Sequence, residues 1–94
     1  ADGVAISNSA IQSIGCVAAR MCNTNNCPAG IATQKKDIRQ RLNVDKASHQ
    51  LKNFFEASTE LMEVMARACG HESFDKFNQK DLATWHREMH YYRE

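Results

Sequence analysis

Neither sign of charge is in surplus in this sequence. Twelve Lys and Arg stand against eleven Asp and Glu, a formal net charge of +1 over 94 residues. That balance gives no long-range attraction to nucleic acid or to anionic lipid, so neither partner is indicated. Also missing is an apolar run of the roughly 18 residues that a membrane-spanning helix needs. The amino terminus lacks the basic segment, apolar stretch and small-residue cleavage site of a secretory signal. A cytoplasmic chain is therefore expected. Four cysteines could form two disulfides in a small secreted domain. Against this, three of them crowd together and Cys69 stands far downstream within a helical pattern.

The crowded three define the stretch around which the chain is organised. They are spaced Cys16-x5-Cys22-x4-Cys27, within twelve residues that show no hydrophobic period. Between and after them, Asn23-Thr24-Asn25-Asn26 and Pro28-Ala29-Gly30 are turn chemistry: Asn tolerates positive φ, Pro fixes φ, and Gly permits a sharp reversal. Such a loop lets three sulfurs converge. Thiolates suit zinc, copper(I) or iron-sulfur clusters. Zinc is disfavoured, because its sites are built on short Cys-x2-4-Cys knuckles with four ligands and no fourth Cys or His lies near. Three cysteines without a fourth suit a three-iron cluster, one thiolate to each iron. Residue chemistry alone leaves a cluster and a reduced-thiol loop both open. Arg20 and Met21, lying between the cysteines, could tune a cluster by charge and by excluding water. Arg20 fits a solvated charge equally well.

At these residues the chain resembles the glutamate synthase family, at the carboxy-terminal end of its FMN-binding (β/α)8 domain. The words that carry the resemblance are Ile14-Gly15-Cys16, the run from Arg20-Met21-Cys22 through Cys27-Pro28-Ala29-Gly30-Ile31-Ala32-Thr33-Gln34, and Asn53-Phe54-Phe55. It extends from about residue 1 to about residue 82. The resemblance implies that Cys16, Cys22 and Cys27 hold a 3Fe-4S cluster and that Ser7 and Asn8 line the FMN phosphate. One departure falls at the latter site. Family members often read Ile-Gly-Thr where this chain reads Ile6-Ser7-Asn8-Ser9, which adds a Cβ where backbone must approach the phosphate.

A whole (β/α)8 barrel takes about 250 residues, so this chain is too short to be one. The implied fold is mainly α, the carboxy-terminal fragment of such a barrel. Residues 1–14 would be the last strand and a helix start, 15–34 the cysteine loop, and 35–94 a helical segment. The implied parent enzyme makes glutamate from 2-oxoglutarate and glutamine-derived ammonia. Its electrons come from ferredoxin or an NADPH-oxidising subunit and pass through 3Fe-4S to FMN. The fragment alone should be inactive. Two alternatives remain: an N-methylglutamate synthase-type subunit, or a non-catalytic helical module with a zinc-binding or reduced cysteine loop.

The rest of the chain reads as follows. Val4-Ala5-Ile6 suits a brief buried strand, and Asn8 or Ser9 can cap a helix over 10–14 that Gly15 ends. Thr33 can cap a short helix over 37–42, whose Lys35, Lys36, Arg39 and Arg41 read as a solvated face. Asn43 or Asp45 opens the longest helix, 45–69. There Leu51, Phe54, Phe55, Ser58, Leu61, Met62, Met65, Ala68 and Cys69 form one apolar stripe that should be the core. Met62, Met65 and Cys69 are read as packing, and Gly70 as the stop. Ser73 caps a short segment. A last helix over 80–92 would put Leu82, Trp85, Met89 and Tyr92 on one face, which pairing of two chains could cover. His86 and His90 are read as a solvated pair, because a metal site needs more ligands. His49 and His71 have no visible partner.

Overall fold

The computed structural model describes residues 3–91, so the first two and last three residues, Tyr92 among them, lie outside the account. Among the described residues the fold is mainly helical, with four α-helices in the order α1 (Asn8–Ser13), α2 (Lys36–Arg39), α3 (Val44–Ala68) and α4 (Arg87–Tyr91). Two short 3₁₀ turns, Phe74–Lys76 and Gln79–Asp81, precede α4. The chain divides into two units, Gly3–Ala57 and a second from Ser58 onward.

No strand forms among the described residues. Residues 4–6 are irregular and exposed, and Val4 keeps 87% of its surface in contact with solvent. A strand needs a neighbour to take up its N–H and C=O groups, and no other segment here offers an edge.

In the first unit, α1 starts two residues earlier than expected, so that the expected cap residues Asn8 and Ser9 lie inside the helix. Ser7 stands at the N-cap position, and neither it nor a neighbour makes a side-chain cap bond. At its other end, Gly15 N–H donates to the Gln12 carbonyl (3.1 Å) and Cys16 N–H to the Ile11 carbonyl (3.2 Å). These are the two crossed bonds of a Schellman closure. α2 is only four residues long and is capped at Lys35, not at Thr33. The Thr33 hydroxyl is engaged elsewhere, as described below. α3 begins as its sequence indicates: Asn43 Oδ1 accepts from the Lys46 amide at 3.0 Å. Ala47 is buried and Leu51 and Phe54 half-buried, at helical spacing on one face.

In the second unit, α3 continues to a second Schellman closure. His71 N–H donates to the Ala66 carbonyl (2.8 Å) and Gly70 N–H to the Arg67 carbonyl (3.0 Å), with Gly70 at φ +78°. Ala66 is buried, but this half of the stripe expected as a core is not: Leu61, Met62, Met65, Ala68 and Cys69 are all exposed. Periodicity identified the helix correctly; burial requires a covering element, and the described residues supply little of one. The expected helix over 80–92 is also shorter. Residues 82–86 are irregular, Trp85 is fully exposed, and helix resumes only at Arg87. Local propensity over one turn is too weak to propagate helix across an unpacked stretch.

Candidate functional site

The cysteine loop hangs between two fixed ends. Cys16 follows directly on the closure of α1, which sets where the first sulfur leaves the helix. It is half-buried, and its Sγ accepts from the Ala18 amide at 3.5 Å. Beyond it the backbone takes the left-handed conformation at Ala18 and Arg20, both φ +57°. Each such non-glycine residue costs on the order of 1 kcal/mol.

Cys22 lies exposed in the next turn. There the Thr24 amide (3.0 Å) and hydroxyl (2.7 Å) both donate to the Met21 carbonyl. Asn25 follows at φ +64° and faces Thr33. The Thr33 hydroxyl donates to the Asn25 carbonyl at 2.7 Å and accepts from the Lys35 amide at 3.1 Å. Asn25 Oδ1 accepts from the Gln34 amide at 2.6 Å. Thr33 is 7% exposed, a buried polar residue whose hydroxyl is satisfied on both sides.

Cys27 is carried inside that closure. Backbone amides favour its thiolate, Ala32 most, then Ile31, with smaller contributions from Ala29 and Gly30, and hold its pKa below the ordinary thiol value against some desolvation. The Gly30 amide donates to the Cys27 carbonyl (3.1 Å), closing a four-residue turn with Pro28 second. Gly30 is buried at φ +78°, and a Cβ there would lie 2.5 Å from the Ile38 carbonyl oxygen. The Cys-Pro-x-Gly step therefore rests directly on the α2 backbone. Arg41 reaches back to donate to the Pro28 carbonyl at 3.2 Å, and Lys35 Nζ to Asn26 Oδ1 at 2.5 Å. A cleft of about 480 Å³ opens beside the loop, lined by Gly15, Val17, Pro28, Arg41, Lys46 and Gln50 among others.

All four cysteines are free thiols. Among the described residues no three His, Cys, Asp or Glu side chains are gathered closely enough to hold a metal ion. The donor set of three thiols on one loop nevertheless suits an iron-sulfur cluster in kind. Ser7 and Asn8 are exposed at the head of α1, a helix of six residues, and neither lines the cleft. His90 packs its ring against Tyr91, with centroids 5.7 Å apart.

The conserved region of glutamate synthase matches residues 1–72 of this chain. The chain belongs to the glutamate synthase family. It is 34% identical over 82 residues to the glutamate synthase large subunit-like protein YerD of Bacillus subtilis, covering 87% of this chain and 16% of that protein. It is 41% identical over 61 residues to ferredoxin-dependent glutamate synthase 2 of Synechocystis, covering 65% of this chain and 4% of the relative. Against the chloroplastic ferredoxin-dependent glutamate synthase of spinach, identity is 36% over 75 residues, 80% of this chain and 4% of the relative. No solved structure matches the chain significantly. The chain thus spans a small part of the relatives it matches, and the matched region contains the whole cysteine loop.

Sequence reading left His71 without a partner, whereas its Nε2 lies 2.7 Å from Asp81 Oδ2. The same carboxylate oxygen accepts from the Asn78 amide at 2.9 Å, while Asn78 Oδ1 accepts from Lys80, which makes a capping box. The Asn78-x-x-Asp81 spacing signals the box; the reach back to His71 across ten residues has no sequence signal.

Proposed function

We propose that this chain is the cysteine-loop segment of an iron-sulfur flavoprotein of the glutamate synthase type, with Cys16, Cys22 and Cys27 as ligands of a 3Fe-4S cluster. The observation that carries the reading is the loop itself: three free thiols within twelve residues of the glutamate synthase conserved region. A cluster held there would supply one-electron storage between an electron donor and the FMN of the parent enzyme.

The residues of this chain would contribute in separable ways. The closure of α1 directs Cys16. The amides of Ala32 and Ile31 stabilise charge on Cys27, as N–H groups do around cluster sulfurs. Arg41 and Lys35 place positive charge at the loop surface, which opposes the negative charge of a thiolate-ligated cluster. Ser7 and Asn8 would face the FMN phosphate only with a cradle supplied by other parts of the parent enzyme. Its reaction would be synthesis of glutamate from 2-oxoglutarate and glutamine-derived ammonia, in the cytoplasm. Ferredoxin is the electron donor we favour, after the names of the relatives from Synechocystis and spinach. We expect no turnover from these 94 residues alone.

Anaerobic purification of the natural protein carrying this chain, followed by iron and acid-labile sulfide assays, tests the reading. A brown protein with about three irons per chain supports it. A colourless protein that takes up neither iron nor sulfide overturns it. That outcome would favour a reduced-thiol loop.

A further inference from the structure

The two halves of the cysteine loop are built to different standards. Residues 21–35 are cross-tied: Thr24 to Met21, Thr33 and Gln34 to Asn25, Lys35 to Asn26, and Arg41 to Pro28. Gly30 seats this half against the Ile38 carbonyl with no room for a methyl group. Residues 17–20 are different. Among the described residues no hydrogen bond reaches Val17, Ala19 or Arg20, and Ala18 and Arg20 hold left-handed backbone. This short arm joins Cys16, fixed to the end of α1, to the cross-tied half that carries Cys22 and Cys27.

We propose that Asn25 and Thr33 are positioning residues that pre-form the half of the loop carrying Cys22 and Cys27, leaving the arm 17–20 to close with Cys16 when the ligand set assembles. This rests on the reading of the loop as a cluster site. Thr33 is suited to the role because its hydroxyl joins both sides of the closure, donating to Asn25 and accepting from Lys35, in a buried position where water does not replace either bond. Asn25 is suited because its side chain accepts from Gln34 while its backbone adopts the positive φ that Asn tolerates. The closure brings the ends of the nine-residue loop 25–33 together before any metal arrives, so that part of the entropy is already spent when Cys27, which it carries, binds.

The test uses the natural protein carrying this chain, freed of metal, with ferrous iron and sulfide as the probe. Amide hydrogen exchange is read before and after their addition, and iron per chain is followed in time. The expected result is protection at Gln34 and Lys35 in the metal-free protein, with residues 17–20 protected only after iron and sulfide enter. Thr33→Val should lose the early protection and weaken iron binding by about tenfold, the lower end of the range for residues that orient a metal ligand. Thr33→Ser, which keeps the hydroxyl, should behave as the parent. Asn25→Gly, which keeps the backbone conformation accessible and removes Oδ1, guards against a Thr33→Val chain that fails to fold; it should weaken loading in the same direction.

Normal loading by both Thr33→Val and Asn25→Gly would overturn the proposal and leave the cluster reading standing. Equal loss in Thr33→Val and Thr33→Ser would overturn it in favour of packing at residue 33. Uniform fast exchange across 17–35 in the metal-free protein would also overturn it. Should the parent protein take up no iron at all, the cluster reading fails first and this proposal with it.

Discussion

Gly30 and Gly70 share the same φ of +78° and differ in what stands beside them. A Cβ on Gly30 would meet the Ile38 carbonyl oxygen at 2.5 Å and the Leu42 amide nitrogen at 3.0 Å, both backbone atoms, whereas one on Gly70 would meet nothing within 4 Å. Gly70→Ala should therefore cost only the left-handed backbone, about 1 kcal/mol. Gly30→Ala adds a clash with main chain that cannot swing aside, and should cost roughly 3 kcal/mol or separate the cysteine turn from α2. Denaturant unfolding of the two variants measures the difference.

The pairing of His71 with Asp81 makes the 71–82 segment acid-sensitive. Asp81 is held below its ordinary pKa of 3.8, first by the Asn78 amide and then by His71. A carboxyl depressed in the folded state contributes stability above its unfolded pKa and loses it as pH falls through the folded value. Exchange protection at the Asn78 amide should be full at neutral pH and lost below the ordinary aspartate range. Asp81→Ala should abolish that protection at neutral pH.

On the proposed cluster reading, Cys16→Ser, Cys22→Ser and Cys27→Ser should each lower the iron content of the intact protein and its visible absorption, because a serine oxygen is a poor substitute for a soft thiolate ligand. Cys69→Ser should leave both unchanged, since Cys69 lies exposed near the far end of α3. Iron assay across the four variants separates ligands from bystander.

Asn43→Ala removes the side chain that accepts the Lys46 amide at the start of α3. A loss of about 1 kcal/mol is expected, as for other N-caps. The Lys52 to Glu56 pair on the same helix, 3.7 Å apart and exposed, should matter far less: Lys52→Ala should change stability by at most about 0.5 kcal/mol, read by the same unfolding measurement.

What could be read from sequence was whatever depends on neighbours in the chain. α3 announced itself by its apolar period, by Asn43 at its start and by Gly70 at its end, and its limits, Val44–Ala68, fall within a residue of the expected ones. Thr33 shows the limit of such reading. Its type and place suited a helix cap, but its hydroxyl is taken by Asn25, eight residues upstream. Residues 4–6, the buried stripe of α3 and the face around Trp85 all required partners that the described residues do not provide, and propensity says nothing of partners. The cysteine spacing was plain from the start. That Gly30 seats its second half on α2 was not, because contact with the Ile38 carbonyl is a property of the folded chain.

The unequal construction of the loop also bears on which changes of length this chain can accept. A residue gained or lost among 17–20 would enter an arm whose Val17, Ala19 and Arg20 make no hydrogen bond to other described residues, and the loop could take it up by bending. The same change between Asn25 and Thr33 would move Gly30 off the one position where the backbone of α2 leaves no room for a side chain. A change of length among 17–20 thus leaves the described contacts of the cross-tied half in place, whereas one between Asn25 and Thr33 disturbs them.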